Sequence, residues 1–79
     1  MVFQNVTAKK FAGLRKKLQD SHKAQMTGDN SGQITGSGIT ANYLFNEQQG
    51  TLTVDVVHHP FFIPVSSIES GIRDAIDKA

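Results

Sequence analysis

The first third of the chain has a helical repeat of apolar and polar residues. Three apolar side chains recur at the spacing of a single helical stripe: Phe11, Leu14 and Leu18. Four lysines project from the opposite side: Lys9, Lys10, Lys16 and Lys17. Either Thr7 or Asn5 can cap the start of such a helix. The pattern therefore predicts an amphipathic helix over residues 7–22.

After this helix the apolar residues recur at every second position, as they do in strands. Residues 24–28 make a short strand candidate that runs into a turn rich in glycine. The next strand candidate covers 33–46, with apolar and polar residues alternating from Ile39 to Phe45. A further alternating run covers 50–58, with turn residues between the two. Two such runs joined by a short glycine-containing turn are typical of a β-hairpin. The sequence thus predicts three antiparallel strands.

Gly36, Ser37 and Gly38 interrupt the second of these strands. Glycine inside a strand weakens it and commonly marks a bulge or the close approach of another backbone. A dinucleotide-binding loop would need a third glycine that opens a helix, whereas a strand follows here. We therefore expect a bulge at these glycines, or a helix that crosses over them.

The two faces of the predicted hairpin differ in polarity. One face is apolar: Ile39, Ala41, Tyr43, Phe45, Leu52, Val54 and Val56. The other face is rich in threonine and also carries Leu44 and Val57. A half-polar face of this kind is expected to lie against water or a second subunit.

A second helix is predicted over residues 66–78. Ser66 and Glu69 match the capping box, in which each side chain satisfies a free backbone N–H of the other residue. The apolar stripe of this helix is Ile68, Ile72, Ala75 and Ile76. Its outer side has acid-before-base pairs four residues apart: Glu69 with Arg73, and Asp74 with Lys78.

The predicted order is α-β-β-β-α, which places the protein in the α+β class. The simplest packing is a three-stranded antiparallel meander with the N-terminal and C-terminal helices on one face. At 79 residues the chain has room for one small domain, residues 1–79. Such a domain buries only about 60% of the surface of its unfolded chain, so its stability is modest.

Composition narrows the classes of function. The chain lacks cysteine, which excludes disulfides and thiolate metal sites. Its first residues contain no apolar run of signal-peptide length, so we expect a soluble, cytoplasmic protein. Six of the eight basic residues lie in the first 23 positions. This asymmetry is compatible with phosphate contacts from the four lysines of the first helix, and equally with attraction between oppositely charged ends.

Residues 58–64 read HHPFFIP and raise two further possibilities. Neighbouring strand residues point to opposite faces, so His58 and His59 cannot both bind one ion from an extended backbone, and we expect no metal and no cofactor. The segment also lacks a nucleophile motif or paired carboxylates, which argues against an enzyme. Phe61, Phe62 and Ile63 are too close in sequence for all three to point inward. We expect one phenylalanine to close the core and the other to contact a partner, and the sequence leaves open which is which.

The strand Gly-x-Leu-x-Val-x-Val at residues 50–56, the proline-bounded apolar link and the terminal helix ESGIRDAID resemble the small bacterial polyhydroxyalkanoic acid system (granule-region) proteins. The resemblance spans roughly residues 7–78. It implies an α-β-β-β-α domain that is sometimes associated with polymer granules, and it assigns no catalytic residue.

These observations favour a non-catalytic interaction module. We expect it to self-associate as a homodimer, or else to bind another protein. Its candidate contacts are Phe61, Phe62, Ile63, Leu44 and Val57. One alternative is nucleic-acid binding through Lys9, Lys10, Lys16 and Lys17. A second is a small apolar ligand between helices and sheet, although so small a core should leave little volume for a cavity.

Overall fold

The computed structural model describes residues 1–78. In that range the elements follow the order β1 (Val2–Phe3), α1 (Ala8–Ser21), β2 (Gln25–Met26), β3 (Ser31–Gly36), β4 (Ile39–Asn46), β5 (Thr51–His58) and α2 (Val65–Asp77). The strands form one antiparallel sheet in the order β1-β5-β4-β3-β2. The α+β class is confirmed, but the sheet described has five strands where the sequence predicted a three-stranded meander.

The additional strand at the start of the chain is β1. Phe3 pairs with Leu52 of β5 and its side chain is buried. The Val6 N–H then donates to the Gly50 carbonyl at 2.8 Å, which fixes the start of the chain against the β4–β5 turn. Two residues are too few for a period-two pattern to be visible, which is why the sequence did not indicate this strand.

The strand predicted over 33–46 is in fact the β3–β4 hairpin. Ser37 (φ 53°) and Gly38 (φ 78°) both have positive φ, as a type I′ turn requires. Gly36 and Ile39 pair across this two-residue turn. The expected bulge or crossing helix at these glycines is therefore wrong, because the chain reverses direction there.

The remaining predicted elements agree with the structure more closely. α1 lies within the predicted 7–22, and the Thr7 hydroxyl accepts a hydrogen bond from the Lys10 N–H at 3.1 Å. β2 lies inside the predicted 24–28 and β5 inside 50–58. Periodicity located α1 and β5 to within a few residues, and the glycine-rich turn that follows located β2.

Both helices cover the same face of the sheet and share one core with it. Leu52 and Val54 are fully buried on that face, as the alternation predicted. The Phe11 ring of α1 stacks on Phe45 of β4 with centroids 4.4 Å apart. The predicted stripe of α2 is also confirmed, with Ile72, Ala75 and Ile76 buried and Ile68 packed against them. The other face of the sheet is left open.

The predicted capping box of α2 is wrong. The helix begins at Val65, and Pro64 occupies the N-cap position with extended backbone (φ −73°, ψ 155°). The Pro64 carbonyl accepts from the Ser67 N–H at 3.0 Å, so Ser66 lies inside the first turn. A capping residue has a non-helical backbone and lies just outside the helix, whereas Ser66 lies inside it. Glu69 instead contacts Arg73 at 3.4 Å, as predicted.

Candidate interaction site

The large apolar side chains that remain exposed in residues 1–78 form two groups. The first lies on the open face of the sheet: Val2, Leu44 and Val57. The second lies where β5 leads into α2: Phe61, Phe62 and Val65. All of the predicted partner contacts except Ile63 belong to these groups. Exposed apolar side chains indicate an interaction surface when they are contiguous.

The second group is built on residues 60–64, which we call the phenylalanine loop. Phe61 is 97% exposed and Phe62 is 70% exposed, and their rings meet edge to face with centroids 5.6 Å apart. The Ile63 N–H donates to the Pro60 carbonyl at 3.0 Å, which closes a turn around the two rings. The expectation that one phenylalanine closes the core is therefore wrong. The half-buried members of the loop are Pro60 and Ile63 instead.

A cavity of about 290 Å³ opens beside this loop, between the two helices and the sheet. We call it the helix–sheet cavity. Aliphatic side chains dominate its walls: Leu18, Ile34, Ile39, Ile63, Ile68 and Ile72. This volume lies at the lower limit of about 300 Å³ for small-molecule sites, so the cavity is small, as expected for a core of this size. Ile63 belongs both to the phenylalanine loop and to the cavity wall.

Two glycines also line the cavity, and they differ in their surroundings. A Cβ added at Gly36 would lie 2.7 Å from the Ala24 Cα, so glycine is required there by close backbone approach. A Cβ added at Gly71 would project into open space. Glycine inside a helix costs about 1 kcal/mol relative to alanine. Packing does not account for Gly71, and an interior helix glycine is the sequence signal that could have indicated the cavity.

The open face of the sheet carries the first exposed group. Leu44 and Val2 lie on either side of Thr53, since both pair with that residue. Val57 lies at an irregularity of β5, between the pairs Ala41–Val56 and Thr40–His58. Three aliphatic side chains at 56–60% exposure are spread among threonines and asparagines. This face is less apolar than the phenylalanine loop.

The two adjacent histidines end the β5 strand. His58 is its last residue, and His59 follows with its Nδ1 3.0 Å from the Pro60 carbonyl oxygen. Among residues 1–78, no group of three or more histidine, aspartate or glutamate side chains is arranged to hold a metal ion. The pair therefore lies where a strand passes into a loop.

The lysines proposed as phosphate contacts lie on the outer side of α1. Lys9, Lys16 and Lys17 are exposed and Lys10 is half-buried. Arg15 has a different role, because its guanidinium donates to the carbonyls of Met26, Gly28 and Asp29 at 2.6–3.2 Å. This basic residue holds the β2–β3 turn against α1. The predicted phosphate contacts, which are the four lysines, do not include this residue.

Comparison with protein-family models finds no match, and no curated protein or solved structure is significantly similar to the chain. The resemblance to the granule-region proteins stays a prediction. Among the described residues, no helix is both long and apolar enough to cross a membrane.

Proposed function

We propose that this protein is a non-catalytic interaction module that binds a second copy of itself through the phenylalanine loop. The observation that carries the proposal is the near-complete exposure of Phe61 together with the 70% exposure of Phe62. Aromatic side chains are enriched at the centres of protein interfaces, where they contribute most of the binding energy. Two adjacent exposed rings are an unfavourable surface for a chain that stays monomeric.

Charge distribution supports the same surface. Residues 60–65 read PFFIPV and carry no formal charge. Their burial therefore removes no ion from water, and so avoids a large desolvation penalty. The charged side chains of α1 stay on the outer side of the molecule, where they keep the assembly soluble.

The expected affinity is moderate. Each phenylalanine contributes about 1.5–3 kcal/mol when it moves from water into an apolar contact. Four phenylalanines in a symmetric dimer supply about 6–12 kcal/mol, against an association cost of roughly 4–15 kcal/mol. The balance favours a dissociation constant in the micromolar range or weaker.

The test is the mass of the protein measured by light scattering after size-exclusion chromatography, over a wide range of loading concentrations. The wild type should approach twice the monomer mass, and the double variant Phe61→Ser, Phe62→Ser should remain a monomer. The matched control is Leu44→Ser, Val57→Ser, which removes apolar area from the open face of the sheet. Dimerisation lost in the control and kept in the loop variant would move the interface to the open face.

Nucleic-acid binding remains the second candidate because of the exposed lysines of α1. It makes a separate prediction, since phosphate contacts release counterions and weaken steeply with salt. The assay is a band shift with single- or double-stranded oligonucleotides. This candidate is favoured if the shift disappears between low and moderate salt. The shift should also be lost when four residues are changed to Gln: Lys9, Lys10, Lys16 and Lys17. Self-association through the loop should be unaffected by those changes.

A further inference from the structure

We infer that the phenylalanine loop of one copy inserts into the helix–sheet cavity of the other. This inference rests on the proposed self-association and names the acceptor site for the exposed rings. The resulting dimer is reciprocal: each copy donates its loop and accepts the loop of its partner.

Size and chemistry of the cavity fit an aromatic ring. A cavity of about 150 Å³ lined by aliphatic and aromatic side chains is enough to bind benzene. The helix–sheet cavity measures about 290 Å³, so it admits one phenylalanine ring and part of a second. Within the described residues no carboxylate, lysine or arginine lines it. The polar side chains in its wall are His22, Ser37 and Ser67.

The chain cannot fill its own cavity with these rings. The hydrogen bond from the Ile63 N–H to the Pro60 carbonyl directs Ile63 toward the cavity and leaves both phenylalanines outside. Pro60 and Pro64 further restrict the backbone at the two ends of the loop. A ring that enters the cavity therefore comes from another molecule, and a second copy presents two exposed rings beside its own cavity.

The positions of the phenylalanine loop and the helix–sheet cavity determine the symmetry of the assembly. Ile63 belongs to the loop and to the cavity wall, so donor and acceptor lie side by side on one patch. A patch that is complementary to itself produces a closed twofold dimer, whereas distant donor and acceptor surfaces would generate rings or filaments. The inference thus predicts a dimer that does not grow further with concentration.

Gly71 supplies an independent reason to assign the cavity a role. Alanine would fit at this helix position, because its Cβ would project into open space. Retaining glycine sacrifices helix stability and keeps the cavity wide at that point. A site that must admit a side chain from another molecule explains this choice.

The experiment fills the cavity while leaving the loop intact. Gly71→Leu places an aliphatic side chain in the cavity, and Ser70→Leu adds the same side chain at the exposed neighbouring position as the matched control. Sedimentation equilibrium should show that Gly71→Leu raises the dimer dissociation constant about tenfold or more, with Ser70→Leu unchanged. Ser67→Leu, at the cavity wall, serves as a second filling variant if Gly71→Leu lowers the melting temperature.

Mixing two defective variants separates this inference from the proposed function. Phe61→Ser, Phe62→Ser keeps the cavity but lacks the rings, whereas Gly71→Leu keeps the rings but lacks the cavity. Their one-to-one mixture should form a heterodimer, because one loop can still enter one cavity. If the wild type dimerises through its phenylalanines while the filling variants dimerise normally, the inference is wrong and the proposed function stands.

Two further outcomes would overturn the inference in other ways. A wild type that stays monomeric at all concentrations removes both the inference and the proposed function. A monomer whose melting temperature rises with benzene, in the wild type but not in Gly71→Leu, would show instead that the cavity accepts a small apolar molecule.

Discussion

Replacing each of the two cavity glycines with alanine should have opposite effects on stability. At Gly71 the added methyl enters open space, so the change recovers the helix propensity that glycine lacks, about 0.8–1 kcal/mol. For a domain of this length that gain corresponds to roughly 4–8 °C in melting temperature. At Gly36 the methyl would lie 2.7 Å from the Ala24 Cα and 2.9 Å from its Cβ. Backbone must then move, and overpacking of this kind costs about 1–3 kcal/mol.

The assay is urea unfolding followed by circular dichroism, at a concentration low enough to keep each variant monomeric. The midpoint should rise for Gly71→Ala and fall for Gly36→Ala, with an unchanged slope in both cases. Equal losses of stability would show that Gly71 is packed against the sheet and that the cavity is closed. A neutral Gly36→Ala would show that the α1–β2 connection lies farther from β3 than the structure places it.

Three further tests address the fold and the pair of histidines at the end of β5. Ser66→Ala should change the free energy of unfolding by less than about 0.5 kcal/mol, since Ser66 lies within the first turn of α2. A loss of about 1 kcal/mol or more in chemical unfolding would show that Ser66 caps the helix after all. Val54→Asp should abolish the cooperative thermal transition because it buries a carboxylate, whereas Thr53→Asp on the open face should keep it. The reverse result would show that the buried and open faces of the sheet are assigned the wrong way round. Changing His58 and His59 to Gln should leave the melting temperature unchanged with or without zinc, and a zinc-dependent rise confined to the wild type would indicate a metal site.

Elements with long, regular patterns could be predicted from the sequence, whereas among the short strands β2 was predicted and β1 was not. The β4–β5 hairpin was predictable because apolar residues alternate through both strands and Gly50 closes the turn between them. β1 is two residues long and forms only because β5 offers a free edge. The Ser37–Gly38 turn was missed because the glycines were interpreted as an interruption of one long strand, although the apolar alternation of β4 does not continue through them to Ile34. In that case the dipeptide Ser-Gly, a known turn signal, was the better guide.

The candidate site was predicted as a segment but not in its geometry. Phe61 and Phe62 were identified from their proximity to two prolines, yet burial was assigned to one of them on the ground that a small chain cannot leave both in water. The local turn from Pro60 to Ile63 leaves both rings exposed instead. The cavity is formed by residues that are distant in sequence, from Leu18 to Ile72, so the interior helix glycine Gly71 was the one local signal for it.

The central claim is that the phenylalanine rings become buried when two copies associate, and nuclear magnetic resonance can measure this directly. A soluble paramagnetic probe broadens the signals of exposed groups, so it is added to samples of increasing protein concentration. Our account predicts that the ring signals of Phe61 and Phe62 lose their broadening as the dimer forms, while the methyl signals of Leu44 and Val57 keep theirs. Rings that stay accessible in a dimer, or open-face methyl groups that become protected instead, would contradict it.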